Sequence, residues 1–200
     1  PNSFNGGLLL NEIQGKSVQN GTPSPDNKAD IVSVGEDGSV VVKVCGKNLI
    51  DFSKPTGKSA NTTSSFANDT LTCTVTPDTA YPTVQYDITN TLFLALKGKV
   101  VRFSYASIAN SNVSAPFGAS LECTIDGVLT YLNINGASAT VPSNATKVRI
   151  LIQPNNNSVA RTTTLTIVKP QLELGTTSTT YEQYKEQLVT IPLTQPLRSV

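Results

Sequence analysis

Thr162-Thr163-Thr164-Leu165-Thr166-Ile167-Val168-Lys169-Pro170-Gln171-Leu172-Glu173-Leu174-Gly175 is the stretch on which the fold turns, and it runs on to Tyr181-Glu182-Gln183-Tyr184. Leu165 and Ile167 alternate with threonines, the period of a half-buried strand. Pro170 has no backbone donor, so a central ladder must bulge there or the strand must lie at an edge. Apolar residues resume at Leu172 and Leu174, and Gly175 ends the run. A strand that continues through a proline into Gln-Leu-Glu suits the closing strand of a β-sandwich, with the upstream chain supplying the others.

The composition agrees. Thr, Ser and Asn are abundant in the 200 residues, while Met, His and Trp are absent. Thr favours strands and Asn and Ser favour turns, so the expected class is all-β. Net charge is +1, which gives no electrostatic footprint for nucleic acid. No apolar run approaches the roughly 20 residues of a membrane span, so no membrane insertion is expected. Cys45, Cys73 and Cys123 are an odd number without metal spacing, and they read as free thiols, two of them phased with apolar neighbours.

Turn signals divide the chain. Residues 1–44 read as an N-terminal β arm: Leu8 to Ile13, a loop through Thr22-Pro23-Ser24-Pro25, then two valine-rich strands around Asp37-Gly38. Residues 45–187 read as an antiparallel β-sandwich or jelly roll. Its expected strands are 70–76, 83–89, 92–96, 99–106, 119–125, 128–134 and 147–153, with the stretch quoted above last. Residues 53–68 read as a long polar loop, and Asp126-Gly127 as a two-residue hairpin. Residues 188–200, with Pro192 and Pro196, read as an extended C-terminal tail towards a following module.

Period two also assigns faces. Val101, Phe103, Leu121, Cys123, Leu132, Ile134, Val148, Ile150 and Ile152 fall inward. Arg102, Glu122, Tyr131, Asn133, Arg149 and Gln153 fall outward, and they form the candidate ligand-binding set. An aromatic platform flanked by Arg, Asn and a carboxylate suits a sugar, whose ring stacks while its hydroxyls hydrogen-bond. A solvated sheet face is the plainer alternative. Without histidine there is no Ser-His relay, and the scattered carboxylates nominate no glycosidase pair. The chain therefore reads as non-enzymatic and without a cofactor. Asp78, Asp87 or Glu173 are the acids open to a structural calcium.

Three phrases carry a resemblance: Ser17-Val18-Gln19-Asn20-Gly21-Thr22-Pro23-Ser24-Pro25-Asp26, Gly46-Lys47-Asn48-Leu49-Ile50-Asp51, and Gln171-Leu172-Glu173-Leu174-Gly175 with Thr179-Thr180-Tyr181-Glu182-Gln183-Tyr184. They resemble tail-fibre, baseplate and minor structural proteins of phages and prophages of Gram-positive bacteria. Gln183 stands where the usual form has Pro. The resemblance implies a jelly roll like a carbohydrate-binding module, in a homotrimeric component of the virion tail. Its partners would be other tail protein modules and bacterial surface polysaccharide. It carries no sugar-contact residue over. A purely structural tail spacer and an accessory module of a secreted cell-wall or glycan hydrolase are the competing readings.

Overall fold

The computed structural model describes residues 30–34, 39–76, 80–88 and 90–192. The expected strand at Leu8–Ile13, the proline loop and the Asp37-Gly38 turn lie outside them. The chain divides into two compact units: Lys47–Tyr184, and a second that joins residues up to Gly46 with those from Lys185 onward.

The second unit contains β1 (Asp30–Val34) and β2 (Ser39–Cys45), which pair antiparallel with one register shift. The larger unit then runs through β3 (Gly57–Lys58), β4 (Thr62–Ala67), β5 (Thr70–Val75), β6 (Val84–Asp87), α1 (Asn90–Leu96), β7 (Val100–Ser104) and β8 (Ser107–Asn110). It continues through β9 (Gly118–Ile125), β10 (Val128–Asn133), β11 (Ser138–Thr140), β12 (Lys147–Gln153), β13 (Thr163–Val168) and β14 (Gln171–Leu174). Last comes β15 (Glu186–Pro192), which pairs with β2 from Glu186↔Cys45 to Pro192↔Ser39, so that β2 is the central strand of its sheet.

The larger unit is all-β with antiparallel sheets. One sheet has the order β10-β9-β12-β6-β3; the others are β4-β5-β13-β8 and β11-β7-β14. The last two are joined by one long ladder. β13 pairs with β8 as Val168↔Ser107, and β14 pairs with β7 as Gln171↔Ser104, so the register is the same on both sides of the break. Lys169 adopts φ 55, which re-aims the chain into Pro170, and the Ala106 N–H reaches the Val168 carbonyl across the gap. The side chains of both layers meet in one core. Leu71, Cys73, Leu165 and Ile167 come from one side, Tyr86, Leu121, Cys123, Ile150 and Ile152 from the other, and Phe52 packs edge-on to Tyr86 and tilted against Phe103. In β5 and β13 the alternation read from the sequence has its cause in one buried face and one partly solvated face. Burial pushes the Cys73 thiol up to about 12 and the Cys123 thiol, with help from Glu122, up to about 11.

Pro170 faces away from β7, on the open side of β14, and Asn48 serves there as a substitute for a neighbouring strand. Its Nδ2 donates to the Pro170 carbonyl (3.1 Å), and its Oδ1 accepts from the Leu172 N–H (3.2 Å). The Leu49 N–H then donates to the Leu172 carbonyl (2.8 Å). Asn48 is only 2% exposed, so neither of its polar atoms can turn to water. The edge alternative for Pro170 therefore applies to β14, while β13 is central between β5 and β8.

Gln171 and Glu173 point to the opposite face from Leu172, yet they are 1% and 2% exposed because residues 176–182 fold over them. The Thr179 hydroxyl donates to Glu173 Oε2 (2.6 Å) and accepts from Gln171 Nε2 and Lys47 Nζ. Glu173 Oε1 accepts from the Thr179 N–H and the Ser104 hydroxyl, and Gln171 Oε1 accepts from the Glu182 N–H (2.7 Å). Tyr181 completes the closure with a hydrogen bond to Asp69 (3.0 Å).

Five elements differ from the sequence pattern. Residues 92–96, expected as a strand, belong to α1: Phe93 and Leu96 are buried three residues apart, and Gly98 (φ 73) follows the last turn. A five-residue apolar run does not distinguish a strand from a helical turn. The expected loop 53–68 contains β3 and β4. β4 is an edge strand whose exposed face is Thr63, Ser65 and Ala67, and Asn68 (φ 49) and Asp69 (φ 58) turn it into β5. Asn and Asp tolerate this left-handed turn almost as Gly does. The strands β8 and β11 were also illegible, being 4 and 3 residues long.

Asn48→Ala leaves a buried carbonyl and a buried N–H without partners, which should cost about 2–4 kcal/mol. Urea unfolding checks this against Thr63→Ala on the exposed face of β4, which should shift stability by less than about 0.5 kcal/mol. Burial raises the Glu173 pKa, but hydrogen bonds from Thr179, Gln171 and Ser104 outweigh it and leave the group below its ordinary 4.5. A depressed carboxylate contributes stability above the unfolded value and loses it as pH falls through the folded one. Stability should therefore drop with acidification below about 4.5, and Glu173→Gln should flatten that limb of a pH titration of the unfolding midpoint.

Candidate functional site

Five of the six residues assigned outward by period two share one surface: Glu122, Tyr131, Asn133, Arg149 and Gln153 lie on the outer face of the β10-β9-β12-β6-β3 sheet. Tyr131, Glu122, Arg149 and Asp87 stand in one row, each in register with the next. Asn133 belongs to the adjoining row through Ser120, Leu151 and Gln85, and Gln153 stands opposite Gly118. Arg102 does not join them. It sits on β7 in the other layer, opposite Glu173, and donates to the carbonyls of Thr176 and Gly136 (both 3.3 Å). Facing outward on a strand was the same observation for all six; which sheet each strand joins depends on pairing, which the local pattern does not encode.

The row has an anchored centre and an open end. Arg149 Nε donates to Glu122 Oε1 at 2.5 Å, and Nη1 donates to Gln85 Oε1 at 3.0 Å. Glu122 is 6% exposed although it is on the outer face, and its carboxylate is paired with the Arg149 guanidinium. Beside this pair the Tyr131 ring is 57% exposed. Partial burial, the Glu122 charge and the hydrogen bond to Glu122 hold its phenol above the usual value, against a smaller opposing effect of Arg149. Leu129, two residues earlier on the same face, is 50% exposed. The result is an aromatic and aliphatic strip beside fixed polar groups. Two of the guanidinium nitrogens are committed to Glu122 and Gln85, so the face offers a flat ring and amide groups more than a free cation.

The sequence did not reveal a shallow hollow of about 130 Å3 lined by Asn48, Asp51, Phe66, Tyr181, Gln183 and Tyr184, among others. Asp51 is held there by the Ser53 N–H (3.0 Å), the Ser53 hydroxyl (2.6 Å) and Lys54 (3.1 Å). Burial raises its pKa, and these hydrogen bonds and the Lys54 charge more than reverse the effect. The Tyr181 and Tyr184 repeat was the one signal for this hollow, but its partners come from residues more than a hundred positions away.

Of the acids considered for calcium, Asp78 lies outside the described residues, Asp87 faces Lys147 at 3.4 Å, and Glu173 is enclosed by Thr179 and Ser104. Among the described residues no group of three or more His, Cys, Asp or Glu is placed to hold a metal ion. Nor is any described helix long and apolar enough to cross a membrane.

No family model, curated protein or solved structure matches the chain. The class the structure defines is an all-β protein of antiparallel sheets with a mixed aromatic and polar outer face.

Arg149→Met should cost about 1–3 kcal/mol, since it strands a mostly buried carboxylate whose partner is itself partly solvated. Adding Glu122→Gln to that variant should recover part of the loss in thermal unfolding. A simple sum of two penalties would show that the pair is uncoupled.

Proposed function

We propose that the chain is a non-enzymatic binding module of a phage tail protein, with a jelly roll like a carbohydrate-binding module, that recognises host cell-surface carbohydrate. The observation that carries this reading is Tyr131. A large aromatic ring is left half-exposed on a sheet face, in register beside Glu122, which Arg149 holds. Such a ring stacks on the C–H face of a pyranose, while Asn133 and Gln153 supply amide donors and acceptors along the same face. Because Glu122 and Arg149 neutralise each other, the ligand that fits is an uncharged sugar in preference to a phosphate-bearing polymer. The resemblance of three phrases to those of Gram-positive phage tail and baseplate proteins supports a virion location and other tail modules as neighbours in a homotrimer.

A structural tail spacer is the second reading. It is favoured by a specific observation: Asn48, Gln171, Glu173, Thr179 and Tyr181, from two of the phrases that carry the resemblance, are all consumed in closing the domain.

Tyr131→Ala removes an exposed side chain and should leave the unfolding midpoint nearly unchanged. It should weaken binding to host-cell-wall polysaccharide by about 10-fold or more, given the worth of a stacked aromatic contact. Isothermal titration with purified polysaccharide, beside a host-cell pull-down, checks it. No binding by the unaltered protein to any host glycan would favour the spacer.

A further inference from the structure

β10 ends its sheet: among the described residues it pairs with β9 and with no other strand. Its ladder fixes which backbone groups are left over. The Ile134 N–H donates to the Ala119 carbonyl, and the register continues as Leu132↔Leu121, Thr130↔Cys123 and Val128↔Ile125. In an antiparallel pair, hydrogen-bonded positions alternate with positions turned away. The N–H and C=O groups of Leu129, Tyr131 and Asn133 therefore point out of the sheet edge.

Natural edges of this kind are protected by charge, proline or a bulge. β10, Val128-Leu129-Thr130-Tyr131-Leu132-Asn133, has none of these: no charged residue, no proline and an unbroken register. It also leaves Val128 64%, Leu129 50% and Tyr131 57% exposed.

We propose that β10 is a self-association edge, pairing antiparallel with β10 of a second copy of this chain about a two-fold axis at Tyr131. The edge is complementary to itself. With Tyr131 opposite its own copy, Leu129 faces Asn133 of the second chain, and all three outward-pointing residues exchange both backbone bonds. An isologous contact of this kind closes at two copies. Charges agree with the register. β10 carries no charged residue, so antiparallel pairing with its own copy sets no like charges opposite one another. The alternative occupant, an extended peptide from another protein, would have to match the same uncharged edge without the two-fold repetition. The contact does not depend on glycan recognition, and it is separate from any threefold packing of a fibre.

Amide hydrogen exchange and sedimentation, both without glycan, test it on the full chain. At high protein concentration the Leu129, Tyr131 and Asn133 amides should exchange about 10-fold or more slowly than in dilute solution. Neighbouring amides already bonded to β9 should not change. Tyr131→Lys and Tyr131→Glu each set like charges directly opposite one another and should each abolish the protection. An equal mixture of the two should restore it, with a mass of two chains per edge contact. Exchange at these three amides that is the same at both concentrations overturns the proposal. So does a mixture that associates no better than either variant alone.

Discussion

A proline removes one hydrogen-bond donor from a backbone, and in this protein it does so between two ladders that keep one register. At Pro170 the chain keeps its register with the neighbouring strand, Ser107↔Val168 before the break and Ser104↔Gln171 after it. What changes is the other side. β13 has β5 beside it, whereas β14 has the side chain of Asn48, which spans from the Pro170 carbonyl to the Leu172 N–H. One buried amide thus replaces a strand at the point where a strand could not be fully satisfied. The closing strand, the start of the domain and the core beneath Leu172 all meet at this residue.

The same contact explains why the domain can end where it does. Once β14 is held, Gln171 and Glu173 stand in fixed positions on its outer face, and residues 176–182 fold over them. Thr179 saturates its hydroxyl there, accepting from Lys47 and Gln171 and donating to Glu173. A half-satisfied cluster of this depth would be costly, whereas a complete one fixes a single arrangement. The two chain ends of the larger unit, Lys47 and Tyr181 with its neighbours, are thereby brought to one place.

The opposite layer uses polar groups in another way. Glu122 and Arg149 are a mutually paired acid and base on an outer face, standing beside Tyr131 and offering little free charge. Structural and binding readings therefore divide along the molecule. The Asn48–Thr179 network belongs to the scaffold, and the β10 face is where an aromatic surface and an open backbone edge remain.

The sequence by itself determined the all-β class, the inward set Val101, Phe103, Leu121, Cys123, Val148, Ile150 and Ile152, and the Asp126-Gly127 hairpin, because alternation and turn chemistry are local. It also located the break at Pro170, since a missing N–H is a property of the residue. Tertiary structure decided the rest. Whether Leu92–Leu96 became strand or helix depended on which two side chains the core could take. Whether Thr62–Ala67 became a strand depended on β5 being beside it. Arg102 left the candidate set because strand pairing, not strand pattern, assigns a residue to a sheet. The partner of Pro170 proved to be an asparagine 122 residues earlier, and a contact so distant in sequence leaves no periodic trace in either segment.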